Sequence, residues 1–249
     1  MTIKDIDVTF DFTSDSKGYW YGFWDDERHL GYGGCDPDSK SAMLRKYHQL
    51  LWSRELPNGE VMQLEIGKYC YLQDKDKNMY FSSDSILASF RYYDNKYIEK
   101  IAEEIPNYRS YMEDFIHRSY TIGGTILLPS FRGGLNQARG CHKRIRDRWD
   151  LTMECIRRHY EGQESPLTKA MEKSRAFFDL FVDFKGFVDF FFLQDLVSED
   201  YSKVLLWYDT PFFEPNPMPK DVDVYLKFIQ NELDFLEKRN ARIKAFIEN

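Results

Sequence analysis

Val61-Met-Gln-Leu-Glu-Ile-Gly-Lys-Tyr-Cys-Tyr-Leu-Gln-Asp-Lys-Asp-Lys-Asn-Met-Tyr-Phe-Ser82 carries the strand pattern on which the architecture turns. Val61 to Ile66, Tyr69 to Gln73 and Met79 to Ser82 are short runs rich in β-branched and aromatic residues, with polar positions alternating between them. They predict a small, mainly antiparallel sheet. Asp74-Lys-Asp-Lys-Asn78 resembles the opening of a calcium loop. Met79 stands where such a loop needs glycine and Ser85 where it needs its closing glutamate, so the segment reads as a hairpin tip.

Working outward, Pro57-Asn-Gly59 is a turn. Before it, Met43, Leu44, Tyr47, Leu50 and Leu51 trace the apolar face of a helix that Asp36-Pro-Asp38 introduces, with Asp38 or Ser39 as cap. Thr9 to Thr13 alternates and predicts a first strand, and an aromatic, glycine-rich loop follows to Cys35. On the other side, Asp84 is placed to cap a helix through Tyr93. Helices are predicted over Tyr97 to Ile105 and Asn107 to His117, then a strand from Thr121 to Leu128. His142 to Tyr160 has Ile145, Trp149, Met153, Ile156 and Tyr160 at helical spacing. Ser165-Pro166 opens a helix to about Leu180, and Gly186 separates it from a Phe-rich one. Lys203 to Tyr208 is a predicted strand, Pro211 to Pro219 a stiff loop, and Asp221 to Ile247 a long amphipathic helix. The chain therefore reads as one helix-dominated α+β domain over residues 1–249.

Composition narrows the classes of function. Aromatics make up 17 % of the chain, which predicts a core built on Phe and Tyr. The most hydrophobic stretch, Phe177 to Val197, is broken by five charged residues, and no run approaches a membrane span of roughly 20 residues, so no membrane partner is expected. Met1-Thr-Ile-Lys-Asp5 lacks the apolar core of a signal peptide. Cys35, Cys70, Cys141 and Cys155 are far apart without a CxxC pair, which fits reduced thiols in a cytoplasm and no structural zinc. No cofactor or metal is called for by any motif; Asp36-Pro-Asp38 lacks a nearby His partner. GxSxG, HExxH and kinase signatures are missing.

Charge is unevenly spread. Between Arg132 and His159 eight Lys/Arg face three acids, a local +5 within a chain of net −7. An apolar run, the glycine loop Phe131-Arg-Gly-Gly-Leu135 and a basic helix succeed one another there, the layout of an anion site. The loop is neither a P-loop nor GxGxxG. The reading takes DNA or a nucleotide as partner, held by Arg132, Arg139, Arg144, Arg148, Arg157 and Arg158, with Asn136 reading a base edge or capping a helix. Asp147, Leu151, Glu154 and Arg158 would share one stripe of the basic helix, offering Asp147 and Glu154 as a general base held by a cation. The plainer account is salt bridging along an exposed helix, worth roughly 0.2–0.5 kcal/mol per pair. Arg45, His48 and Trp52 fall on one helical face, where they would hold a phosphate and stack a base, or else be core. Asp84 is a third candidate carboxylate, with N-capping as its plain role. Asp189 and Asp195 lie among phenylalanines, where burial would raise a carboxylate pKa and make each a candidate acid or base, or where each is equally tied up by buried hydrogen bonds to Arg or backbone.

Several strings resemble an uncharacterised bacterial family catalogued as a domain of unknown function. They are Asp36-Pro-Asp38, Tyr47-His-Gln-Leu-Leu-Trp-Ser53, Leu56-Pro-Asn-Gly59, Ser82-Ser-Asp-Ser-Ile86, Leu135-Asn-Gln-Ala-Arg-Gly140, Asp150-Leu-Thr-Met-Glu-Cys-Ile-Arg-Arg-His-Tyr160 and Val188-Asp-Phe-Phe-Phe-Leu-Gln-Asp-Leu-Val197. The resemblance spans most of the chain and implies no activity. In size, and in pairing carboxylates with a basic helix, the chain is also faintly similar to DNA glycosylases that defend bacteria against phages with modified bases. That similarity implies an N-glycosidic hydrolase using Asp147, Glu154 or Asp84, with Trp52 or Trp149 stacking the extruded base. The alternatives are a non-catalytic nucleotide or nucleic-acid binding module, and a protein-interaction factor that oligomerises through its C-terminal helix.

Overall fold

The computed structural model describes residues 6–12, 41–68, 70–88, 90, 95–212 and 214–248. Cys35 and Asp36-Pro-Asp38 lie outside them. Helix α1 spans Ala42–Trp52, and Ser41, not Asp38 or Ser39, caps it: its Oγ accepts the N–H of Leu44 at 3.1 Å. The sheet is an antiparallel meander in the order β1 (Glu65–Ile66), β2 (Leu72–Asp74), β3 (Met79–Ser85) and β4 (Thr125–Pro129). β3 and β4 pair over five residues, from Phe81 opposite Pro129 to Ser85 opposite Thr125. The sheet's long excursion between them holds α2 (Asn95–Glu104) and α3 (Tyr108–Ser119). The fold is α+β, as the period-2 and period-3.6 patterns imply.

Several local expectations are corrected. No strand forms over Thr9 to Phe12, and Thr13 lies outside the described residues: Val8 and Thr9 make a turn, in which the Asp7 carboxylate accepts both the N–H and the hydroxyl of Thr9. β3 runs on through Asp84, which therefore caps no helix; its backbone is occupied by Ile126 of β4. Lys203 to Tyr208 makes a single bridge, Val197 to Val204, in place of a strand. The basic helix is broken: α4 (Leu135–Cys141) lies inside what read as loop, and α5 (Trp149–Tyr160) begins only after a run of turns. Arg146 (φ 51°) and Asp147 (φ 64°) hold left-handed backbone in succession, and this ends the helical path. The predicted Ser165–Leu180 helix is α6 (Thr168–Lys173), α7 (Arg175–Phe178) and a 3₁₀ turn. Gly186 sits inside α8 (Phe184–Phe190), which Asp183 caps, rather than between helices.

The aromatic core centres on Trp52, fully buried, with the rings of Phe81, Phe177, Phe181, Phe190 and Phe191 at 5.0–6.1 Å. The C-terminal helix α9 (Val222–Glu248) crosses the back of this core. Its Arg239, 1 % exposed, donates to the carbonyls of Phe191, Gly123 and Thr125, tying three chain segments together. Among the described residues no helix is long and apolar enough to cross a membrane.

Candidate functional site

Along β3 successive side chains alternate between faces. Phe81 enters the core, while Ser82 and Asp84 point toward α4: Asn136 Nδ2 donates to Ser82 Oγ at 2.7 Å, and Arg139 Nε donates to Asp84 Oδ2 at 2.9 Å. Asn136 and Arg139 are three apart on α4, so one helical face meets one strand face. Arg139 is only 1 % exposed and uses its whole fork. Nη1 meets Asp147 Oδ1 at 2.7 Å and the Asp147 carbonyl at 3.1 Å, and Nη2 donates to the Ser85 carbonyl. The indole of Trp149 lies 5.5 Å from its guanidinium carbon. Asp84 and Asp147 remain 25 % and 30 % exposed. Two half-open carboxylates thus flank one buried cation, and one of them is carried on strained backbone of a kind that gathers at functional sites.

Behind this lies a second buried pair. Arg148 and Asp150 are both 0 % exposed and bidentate, at 3.1 and 2.6 Å; Arg148 also donates to the Pro217 carbonyl and lies 3.9 Å from the Tyr208 ring centre. Burial opposes its charge, but Asp150 outweighs that and lifts the guanidinium pKa above its ordinary value. Asp150 further accepts the N–H groups of Leu151 and Trp207. With no exposed surface, Arg148 cannot reach a phosphate, which corrects its expected role. Nearby, wholly buried Glu232 accepts the N–H of Ala88 at 2.7 Å, and burial pushes its carboxyl well above the usual range.

Further along the basic segment, Arg157 and Arg158 are neutralised by neighbouring acids. Glu154 accepts Arg157 at 2.8 and 2.9 Å and Arg158 at 2.9 Å, while Arg157 also reaches Glu161. Burial works against the Glu154 carboxylate, yet these bonds hold its pKa below the ordinary value. Glu154, Arg157 and Arg158 thus form an ion-pair ladder on α5, and Asp147 precedes that helix, so the expected stripe of four does not exist. In the glycine loop, Gly133 N–H donates to Gln137 Oε1 and Gly134 N–H to the Phe131 carbonyl. Those amides are taken, and no phosphate cradle results. Arg132 and Arg144 are exposed on the surface.

Arg45, His48 and Trp52 do not form a stacking site either. Trp52 is the core hub; His48 is 1 % exposed, with Nδ1 3.3 Å from Tyr71 Oη, and Arg45 lies over the Tyr71 ring. Burial, with Arg239 adding repulsion, drives the His48 pKa down to about 3. Trp149 is likewise fully buried. The expectation of a raised pKa at Asp189 is also corrected: burial is outweighed by hydrogen bonds from Lys185, Tyr201 and Gln194, which lower it. Asp195 pairs with Arg242 at 2.7 Å.

Of the residues singled out from sequence, the fold brings together Asp84, Asn136, Arg139 and Asp147 with buried Trp149 behind them, and joins Glu154, Arg157 and Arg158 in a separate ladder. Sequence reasoning missed Ser82 as Asn136's partner, although it lies in the quoted Ser-Ser-Asp-Ser string. It also missed Tyr80, Phe131 and Lys173, which line one concavity beside the glycine loop. Their signal was available in part: Tyr80 shares the strand parity of Ser82 and Asp84.

No curated protein and no solved structure matches the chain. One family model does, across residues 6–243, nearly the whole length. The chain belongs to that family, described as a family of unknown function (DUF6994).

Proposed function

We propose that the chain is a glycosylase-like hydrolase that cleaves the N-glycosidic bond of a base in DNA, with Asp84 and Asp147 as its carboxylates. The observation that carries this is the pair of partly exposed carboxylates held on the single buried guanidinium of Arg139. Glycosidic hydrolysis needs two oxygen-bearing side chains on a rigid frame, one facing the sugar carbon and one handling the attacking water. In the reaction, one carboxylate takes a proton from water as the water oxygen bonds to C1′. The C1′–N bond breaks with its electron pair leaving on the base, which then takes up the proton that the carboxylate removed from water. Arg139 positions both carboxylates and touches no substrate. Glu154 has no part in this step, since its oxygens are engaged by Arg157 and Arg158.

The test is incubation of the purified chain with DNA carrying unmodified and modified bases, scored for alkali-labile abasic sites. Wild type generates them. Asp84→Asn and Asp147→Asn, each folded by circular dichroism, lose about 10²–10⁴-fold in rate, the range of a lost general base. Folded wild-type protein that yields no abasic site on any of these DNAs overturns the reading.

A further inference from the structure

We infer that the concavity beside the glycine loop is a subsite for an unpaired nucleotide of the substrate strand, its base stacked on Tyr80 and Phe131 and its phosphate met by Lys173 and Arg132. The inference rests on the hydrolase reading for the kind of ligand, and on different residues for its evidence.

Tyr80 and Phe131 are 47 % and 42 % exposed, two of the few large apolar side chains left open among the described residues, most of whose aromatics are buried. Both line a cavity of about 170 Å³, which Pro129, Phe177 and Lys173 complete. The platform is rigid. Ser130 N–H donates to the Tyr80 carbonyl at 2.8 Å, continuing the β3–β4 ladder, and Tyr80 Oη donates to Asn78 Oδ1 at 2.8 Å. The Phe131 ring lies against Gly134, where a Cβ would sit 3.2 Å from its edge. Lys173 reaches over the loop: its Nζ would stand 3.1 Å from a Cβ at Gly133. It also lines a second concavity, of about 560 Å³, beside Lys169 and His142, with Glu164 the carboxylate on that wall. Among the described residues Arg132, Lys169 and Lys173 make no ion pair, unlike Arg139, Arg148, Arg157 and Arg158.

Open aromatic faces with unpaired cations at their rim are the arrangement by which proteins hold unpaired bases. The cations distinguish this occupant from an apolar peptide, which gains nothing from them. Placement agrees as well. Tyr80, Ser82 and Asp84 share one face of β3, and four residues of strand set the Tyr80 and Asp84 backbones about 13 Å apart.

Fluorescence anisotropy of a short labelled oligothymidylate tests the subsite without turnover. Wild type binds it. Tyr80→Ala and Phe131→Leu each weaken binding about 5- to 150-fold, the worth of one stacked base, and Lys173→Glu weakens it at low salt more than at high. No binding by wild type, or binding that both ring substitutions leave unchanged, overturns the subsite. Ring-dependent binding by a protein that releases no base supports the subsite and overturns the hydrolase reading. Base release at unaltered KM in Tyr80→Ala and Phe131→Leu overturns the subsite and leaves the hydrolase reading in place.

Discussion

Arg139 and His48 illustrate how far single residues can be read from sequence. Both looked like ligand-binding groups, and both are buried. For Arg139 the reason is Asp84, 55 positions away in the chain, which no local pattern links to it. For His48 the reason is an aromatic core whose depth is set by residues scattered from Phe81 to Phe191. Burial has a measurable consequence at His48. Its folded pKa of about 3 lies below the unfolded value of 6.5, because burial first, and Arg239 second, disfavour the imidazolium. As pH falls through 6.5 the unfolded chain takes up a proton that the folded chain refuses. Stability therefore drains away between pH 6.5 and about 3, by about 5 kcal/mol at the acid end. His48→Gln, which does not titrate, is expected to lose stability more shallowly across that window. Urea unfolding of both proteins at several pH values within it checks this. Parallel curves would mean that the imidazole is protonated in the folded protein.

At the scale of elements, periodicity located most helices, because amphipathic faces repeat whatever lies against them. Breaks were less legible. Nothing in Arg146-Asp147 announces left-handed backbone, since the pair is held there from outside by Arg139, whose Nη1 grips both the carbonyl and the carboxylate of Asp147. Conversely, Gly186 announced a break that does not exist. It is a helical residue in α8, and its role is close approach: a Cβ there would stand 2.1 Å from the Phe181 carbonyl oxygen. Ordinarily Gly→Ala within a helix gains about 1 kcal/mol. Here the colliding atom is backbone and cannot swing aside, so the sign reverses. Gly186→Ala should lower the urea midpoint by an amount equivalent to about 2–3 kcal/mol with an unchanged slope. A midpoint equal to or above that of wild type would show that the Phe181 turn yields.

Across the whole molecule, the contrast between a +5 segment and a −12 remainder was plain in sequence, but its meaning was not. Charge counted along a chain says nothing about which cations already hold acids. Arg139, Arg148, Arg157 and Arg158, four of the eight, are committed internally, and two of those are sealed from solvent. Burying a paired arginine organises a fold without adding affinity for phosphate, since the desolvation already incurred is matched only by its own partner. Lys173 lines the stacking platform, Arg132 follows Phe131 in sequence and Lys169 lines the neighbouring concavity, and none of the three makes an ion pair among the described residues. This sets an upper bound that can be measured. For single strands log K falls with log salt at about 0.7 per neutralised phosphate. Three contacts give a slope of about −2; all eight cations of the Arg132–His159 segment would give about −6. Oligothymidylate titrated from low to physiological salt should follow the shallow line, and duplex DNA, whose bases cannot stack on Tyr80 and Phe131, should bind more weakly at every salt concentration. A slope near the steep value, if this segment alone carried it, would require the Glu154 ladder and the Arg139 and Arg148 pairs to open on binding. Asp84 and Asp147 would then lose the cation that holds them together, so a steep slope would also argue against their acting as a pair.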